Sequence, residues 1–202
     1  MTHLDPTLRL ALTCEVSYYE DFLSAEEAHK LFQELTQDER IFQLRLKGFN
    51  DIWETFNFGK IIFLDQDLYE GNKFPEPIWG PTAVWPDKLR EVKERVELLT
   101  GISFGVGVCI YYPDGASGVD FHSDSSAYGD TSVLPSLSLG EEREFCLKEK
   151  KTQKVTGITL QHGSLIIMGN GCQDLYEHAL PVNPIYQQSR INVTFRQYDR
   201  SA

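Results

Sequence analysis

The stretch "RINVTFR", residues 190–196, alternates between polar and apolar side chains along its whole length. Successive side chains of a β-strand point to opposite faces, so Arg190, Asn192, Thr194 and Arg196 share one face and the three apolar residues share the other. In an ordinary sandwich the polar face would meet water. Two guanidinium groups flanking an amide and a hydroxyl would also suit a dicarboxylate, because arginine pairs bidentately with carboxylates.

The segments before this strand are also short and separated by turn residues such as "PDG" and "GNG". Eight such strands within about 95 residues favour a jelly roll. We therefore predict a mostly β fold with flanking helices (α+β), a double-stranded β-helix with the helices packed on one outer side. The predicted strands lie within residues 104–112, 118–122, 135–140, 143–149, 157–161, 164–168, 177–182 and 190–198.

The first half of the chain has a different pattern. Residues 24–38 begin with a capping box and place apolar residues at helical spacing, and residues 87–101 form a second amphipathic helix that ends at a glycine. Between them, residues 56–86 combine a short apolar strand with a long loop that could cover a pocket. We predict one domain over 1–202, with a helical, substrate-covering part at 1–102 and a jelly-roll core at 103–198.

Composition limits the possible partners. The formal net charge is −11, so the field of the whole protein repels phosphate backbones unless a local basic patch offsets it. The four cysteines are scattered without a C-x-x-C pair, which favours reduced thiols rather than a disulfide framework. No segment resembles a leader or a membrane span, so we expect a soluble, intracellular, cytoplasmic monomer.

A second polar pattern lies in "FHSDSSAYGD", residues 121–130. His122 and Asp124 are two residues apart on a strand that runs into a loop, so both side chains could reach one ion. Alone, this pair is more typical of a solvated strand end. With the distant His178 it forms a set of two imidazoles and one carboxylate, the facial triad that binds Fe(II) and leaves positions open for a chelating co-substrate and dioxygen.

Four motifs together resemble the AlkB-like Fe(II)- and 2-oxoglutarate-dependent dioxygenases. They occur in the family's order within residues 103–198, and their joint spacing makes a chance match improbable. The motifs are "YYPDGASGVDFHSD", "LPSLSLGEEREFCL", "LQHGSLIIMGNGCQDLYEHALP" and "RINVTFRQY".

The resemblance implies a role for each matched residue. His122, Asp124 and His178 would bind iron and form the catalytic centre. The co-substrate, 2-oxoglutarate, would be bound by Arg190, Arg196, Asn192 and Tyr111. Dioxygen would then oxidise a substrate C–H bond, and the matched residues His162, Arg143 and Phe145 are expected to be structural.

Three departures from the family's pattern concern the substrate. Cys109 is taken to replace an asparagine near the co-substrate, and Ser126 replaces a carboxylate that contacts the damaged base. The family's Pro-Arg recognition segment is also missing. Trp53, Trp79, Trp85 or Tyr69 could still stack on a flat substrate, although each has a commoner role in packing.

Two classes of activity therefore stay open. Oxidative dealkylation of alkylated single-stranded DNA or RNA is slightly favoured by family frequency. The alternative is hydroxylation of a small molecule, an amino acid or a protein side chain, which the acidic charge and Ser126 favour. A binding module without catalysis is disfavoured because the metal ligands and both arginines are all present.

Overall fold

The computed structural model describes residues 4–47 and 52–199. The N-terminal stretch, in which no leader was predicted, begins with three residues that lie outside these ranges. The helices are α1 Ala25–Leu35, α2 Gln66–Glu70, α3 Glu76–Trp79, α4 Asp87–Thr100 and α5 Cys172–Leu175. The strands are β1 Leu8–Arg9, β2 Val16–Tyr19, β3 Arg45–Lys47, β4 Trp53–Thr55, β5 Gly59–Leu64, β6 Thr82–Val84, β7 Val106–Tyr112, β8 Val119–His122, β9 Leu134–Gly140, β10 Arg143–Glu149, β11 Val155–Leu160, β12 Leu165–Met168, β13 Tyr176–Leu180 and β14 Arg190–Arg196.

The predicted jelly roll is confirmed as two facing sheets. The larger sheet has the order β1-β2-β12-β9-β14-β7-β5-β6, and the smaller has the order β11-β10-β13-β8. All eight predicted strands are present, β7 to β14 in chain order. Neighbouring strands are antiparallel except β5 and β6, which are parallel. A separate hairpin pairs β3 with β4.

Both predicted helices pack on one outer side of the larger sheet. Ser24 accepts a hydrogen bond from the Glu27 amide, and the Glu27 carboxylate accepts one from the Ser24 amide, so the capping box that starts α1 is complete. The apolar stripes of α1 and α4 pack against the outward side chains of β14 and β7, among them Ile191, Val193 and Phe195. The face of β14 opposite to this core is therefore left to point between the sheets.

The predicted boundary near residue 102 does not separate two structural parts. Strands β1, β2, β5 and β6 come from the first half of the chain and extend the larger sheet at both edges. The segment from 56 to 86, predicted as a strand and a long loop, contains β5, two short helices and β6. The sequence predicted the strand β5 but not β6, because β6 is only three residues long and is ordered by pairing with β5.

The prediction of four reduced thiols is wrong for two of the cysteines. Cys14 and Cys172 form a disulfide, whereas Cys109 and Cys146 are free and buried. Cys14 precedes β2 and Cys172 follows β12, and these two strands pair in antiparallel register. Residues 158 positions apart in sequence are thereby brought to a Cα–Cα distance of 5.3 Å. Sequence spacing could not reveal a pairing that depends on the sheet order.

Candidate active site

A cavity of about 420 Å³ lies between the two sheets, a volume within the range of small-molecule sites. The larger sheet lines it with Val108, Ile110 and Tyr112 of β7 and with the polar face of β14. The smaller sheet contributes His122, Phe145 and His178, among others. The predicted alternation of β14 is thus confirmed, but its polar face meets a buried cavity rather than bulk water.

The three predicted metal ligands converge at one side of this cavity. Strand β13 pairs with β8, so that His178 lies opposite His122. Asp124 follows β8, and its carboxylate oxygens lie 3.7 Å from His122 Nε2 and 3.8 Å from His178 Nε2. The ligand atoms of all three residues lie within 4.8 Å of one another. This arrangement fits one divalent ion with open coordination positions.

Neighbouring groups set the state of each ligand. His122 Nδ1 donates to the Asp120 carbonyl at 2.8 Å, which leaves Nε2 free to bind a metal. Burial lowers the pKa of His178 to about 4, so this imidazole is neutral near pH 7. Burial alone would raise the pKa of Asp124, but the interactions with His122 and Arg196 lower it to about 2.

A residue of the short helix α5 also holds the backbone of the acidic ligand. The Asp124 amide donates to Gln173 Oε1 at 2.8 Å. Gln173 belongs to the short helix α5, directly after the disulfide residue Cys172. The backbone of the metal ligand is therefore connected to the disulfide-bonded corner of the protein.

The two predicted arginines lie at opposite ends of the polar face of β14. Arg190 is buried, and its Nη2 donates to Ser138 Oγ at 2.8 Å. Arg196 Nη2 lies 2.9 Å from Asp124 Oδ1. The Nε atoms of Arg190 and Arg196 are buried and have no hydrogen-bond partner within the described residues. Unsatisfied buried donors at both ends of the face fit an anionic ligand.

Asn192 lies between the arginines and lines the cavity. Its amide nitrogen donates to Ser136 Oγ at 2.6 Å and to the Leu137 carbonyl at 3.2 Å. Its amide oxygen accepts from Thr194 Oγ1 at 3.1 Å. The side chain is therefore held in one orientation by its neighbours on β9 and β14.

The prediction for Tyr111 is wrong by one residue. Tyr111 points to the apolar core between the larger sheet and the helices α1 and α4, here called the outer core. Its ring lies 5.0 Å from that of Phe42. Tyr112 faces the cavity, next to the guanidinium of Arg190. Burial raises the pKa of Tyr112 to about 12, so its hydroxyl remains a donor at neutral pH.

The same shift of one residue applies to Cys109, which was expected to replace an asparagine near the co-substrate. Cys109 is fully buried in the outer core, and Ile110 is the residue that lines the cavity. The mistake arose because adjacent tyrosines, 111 and 112, allow two alignments that differ by one residue, and a shift by one residue exchanges the faces of a strand.

The expected structural residues have structural roles. His162 Nδ1 accepts from the Gly140 amide at 2.9 Å, where Gly140 has the positive φ of 87° that favours glycine. Arg143 is buried and donates to the carbonyls of Asp114, Ser117 and Pro181. Phe145 packs 5.5 Å from the ring of His178 and forms part of the cavity wall.

None of the four aromatic residues considered for stacking lines the cavity among the described residues. Trp85 is buried in the outer core and stacks on Phe195, while Trp53 is 49% exposed on the β3–β4 hairpin. Phe56, Phe58 and Tyr128 are aromatic residues that do line the cavity. Sequence reasoning missed them and Lys60, although the alternation of "FNFGK" places Phe56, Phe58 and Lys60 at every second residue.

Comparison with known proteins agrees with this geometry. The chain matches the 2OG-Fe(II) oxygenase superfamily over residues 15–196. The chain belongs to this superfamily. Its AlkB-like character is shown by relatives named as alkB homologues.

Two relatives illustrate the extent of the match. The alpha-ketoglutarate-dependent dioxygenase alkB homolog 3 of Rattus norvegicus is 33% identical over 132 residues, which cover 60% of this chain and 43% of the relative. The DNA oxidative demethylase ALKBH2 of Bos taurus is 28% identical over 203 residues, covering 92% of this chain and 69% of the relative. The chain thus spans less than half the length of the first of these relatives.

A solved structure shares the fold. The structure of OsALKBH1 has a TM-score of 0.66 at 13% identity, and the match covers 95% of this chain and 100% of that one. At this level of identity the likeness concerns the fold alone. No helix within the described residues is long and apolar enough to cross a membrane.

Proposed function

We propose that this protein is an Fe(II)- and 2-oxoglutarate-dependent dioxygenase that removes N-alkyl groups from bases of single-stranded DNA or RNA. The observation that carries the proposal is the convergence of His122, Asp124 and His178 with Arg190 and Arg196 in one cavity. The relatives named as a DNA oxidative demethylase favour nucleic acid as the substrate class.

The protein's residues fit both groups that the superfamily uses. An imidazole nitrogen from each of His122 and His178 and the ionised carboxylate of Asp124 are suitable ligands for Fe(II). For 2-oxoglutarate, the Nε atoms of Arg190 and Arg196, which have no partner among the described residues, supply buried cationic donors, and Tyr112 adds a hydroxyl beside Arg190. Burial lowers the pKa of Arg190 to about 10, so this guanidinium remains charged at neutral pH.

Each residue then has a defined task. Arg190 and Tyr112 would hold the carboxylate far from the metal, while Arg196 orients Asp124 through their 2.9 Å contact. Asn192 keeps the cavity wall rigid through its bonds to β9. When bound, Fe(II) and 2-oxoglutarate supply the chemistry that inserts one oxygen atom of O2 into a substrate C–H bond, with succinate and CO2 as co-products.

The walls of the cavity would hold the substrate carbon beside the metal ligands. Leu44, Leu46, Phe56 and Phe58 form an apolar part of the cavity wall that is suitable for a flat base. Hydroxylation of an N-methyl carbon gives an N-hydroxymethyl group, which loses formaldehyde and returns the proton to the base nitrogen.

The test is a turnover assay with iron-loaded protein, 2-oxoglutarate, oxygen and a panel of N-methylated single-stranded oligonucleotides. We expect formaldehyde and the demethylated base in equal amounts, and neither product from an Asp124→Ala variant. Absence of both products from every oligonucleotide would contradict the proposal.

Hydroxylation of a small molecule or a protein side chain is the second candidate. The net charge of −11 and the exposed position of Ser126, outside the cavity, favour it. A cell-extract product heavier by one oxygen atom, without formaldehyde from any oligonucleotide, would establish this alternative.

A further inference from the structure

The cavity wall contains a lysine that the metal and co-substrate sites do not use. Strand β5 alternates so that Ile61 and Phe63 enter the outer core, while Lys60 points into the cavity. Lys60 is only 6% exposed. A Cβ atom at Gly80 would lie 3.4 Å from Lys60 Cε, so the glycine leaves room for this side chain.

The Lys60 ammonium is only partly satisfied. Its Nζ donates to Tyr128 Oη at 3.0 Å, and an ammonium has three hydrogens to donate. Within the described part of the chain, no ion pair is formed by Lys60. Burial lowers the pKa of this lysine to about 8, so the group is still largely charged near pH 7. Two donors are therefore available to a ligand.

Tyr128 connects this lysine to the metal site. Lys60 Nζ lies 5.5 Å from the centroid of the Tyr128 ring, and the guanidinium carbon of Arg196 lies 5.8 Å from the same centroid. Arg196 in turn contacts Asp124. A base whose methyl group lies near Asp124 would therefore occupy the cavity that Lys60 also lines.

The surroundings of Lys60 strengthen its electrostatic effect. Leu44, Leu46, Phe58 and Ile110 line the same cavity and are apolar. In such a low-dielectric site, a like charge is repelled and a hydrogen-bond acceptor is attracted more strongly than in water. A cationic base would lie near an uncompensated ammonium, whereas a neutral base could offer a carbonyl oxygen.

We propose that Lys60 is a substrate-binding residue that donates to a carbonyl oxygen of a neutral methylated base and selects against cationic methylated bases. This inference rests on the proposed function, since it names the class of base that the same cavity accepts. It also assigns the selection against cationic bases to a buried cation on β5, not to the serines that follow Asp124.

The experiment compares two single-stranded oligonucleotides of identical flanking sequence. One carries N3-methylthymine, which is neutral and has two carbonyl oxygens, and the other carries 1-methyladenine, which is cationic at neutral pH. The wild-type protein, Lys60→Met and Lys30→Met are compared by kcat/KM for formaldehyde release. Lys30 is an exposed lysine on the outer helix α1, so its replacement removes the same charge far from the cavity.

We expect the wild-type protein and Lys30→Met to prefer N3-methylthymine. In Lys60→Met, kcat/KM for N3-methylthymine should fall about tenfold or more, since a hydrogen bond to a charged group is lost. Activity on 1-methyladenine should rise, so that the preference is reduced by at least tenfold. Lys60→Gln, which keeps a neutral donor, should also raise 1-methyladenine activity and serves if the methionine variant does not fold.

Other outcomes distinguish a failure of the inference about Lys60 from a failure of the proposed function. Equal losses on both oligonucleotides in Lys60→Met would indicate a contact with the phosphate backbone and would overturn the inference alone. An unchanged preference would overturn it as well. If the wild-type protein releases formaldehyde from neither oligonucleotide nor from any other N-methylated one, the proposed function fails and the inference fails with it.

Discussion

Arg196 and Asp124 form an ion pair in which Nη2 lies 2.9 Å from Oδ1, although one residue ends β14 and the other follows β8. The pair joins the two sheets at the predicted metal site. Both side chains are largely buried, so each charge depends on the other for its electrostatic compensation. The same arginine thus orients a metal ligand and borders the predicted co-substrate site.

Replacing Asp124 with alanine should abolish both iron binding and turnover. The variant loses the only carboxylate of the ligand set and leaves Arg196 without this partner. Iron content after anaerobic loading and the visible absorption band formed with 2-oxoglutarate measure the effect. Asp120→Ala is the matched control, because this exposed residue supports His122 through its backbone carbonyl. Full succinate production by Asp124→Ala would refute the ligand assignment.

Replacing Arg190 with methionine should weaken 2-oxoglutarate binding about a hundredfold, because a buried charged partner of the carboxylate is removed. Iron binding should be kept, since Arg190 contacts Ser138 and not the metal ligands. Calorimetric titration of the metal-loaded protein with 2-oxoglutarate measures the affinity. An unchanged dissociation constant would exclude this role for Arg190.

The two neighbouring tyrosines provide a matched pair of variants. Tyr112→Phe should weaken 2-oxoglutarate binding by about tenfold, because it removes a hydroxyl donor beside Arg190. Tyr111→Phe should leave the affinity unchanged, since Tyr111 packs on the outer face. The opposite result would restore the assignment that the sequence favoured.

Lys60→Met should stabilise the protein, because the wild-type fold buries a charge that forms no ion pair with any residue the structure describes. The pKa of Lys60 falls from its ordinary value of 10.5 to about 8 in the folded state. The destabilising effect is therefore complete below about pH 8, decreases as pH rises from 8, and is lost above 10.5, where both states are neutral.

The corresponding increase in the free energy of unfolding of Lys60→Met is up to ~3 kcal/mol at pH 7. Urea unfolding of the wild-type protein and Lys60→Met at pH 7 and pH 10 measures it. A stability difference that does not shrink at the higher pH would indicate that packing, and not charge burial, causes the effect.

Breaking the disulfide should destabilise the fold. It closes a loop between residues 158 positions apart, and such a link restricts the unfolded chain by about 2–5 kcal/mol. Cys14→Ser should lower the urea midpoint, and a reductant should have the same effect on the wild-type protein. In the Cys14→Ser variant the reductant should have no further effect, and a further loss of stability there would contradict this account.

The sequence by itself determined the strands of the second half and the alternation of β14. Both follow from local patterns, because the period of two along a strand separates its faces wherever one face is buried. The capping box of α1 and the glycine after α4 are equally local. The spacing of His122 and Asp124 could be read directly, and the family's motif pattern added His178.

Only the tertiary structure decided which faces and neighbours these elements have. A shift of one residue placed Tyr112 rather than Tyr111 in the cavity, and two adjacent tyrosines give no local signal of that shift. The Cys14–Cys172 disulfide depends on the pairing of β2 with β12, which lie about 150 residues apart. Lys60 reads locally as an ordinary polar residue at the start of a strand, and it becomes a buried cation only because β5 pairs with β7 beside the cavity. Non-local strand pairing, which sequence periodicity does not encode, brings these side chains together.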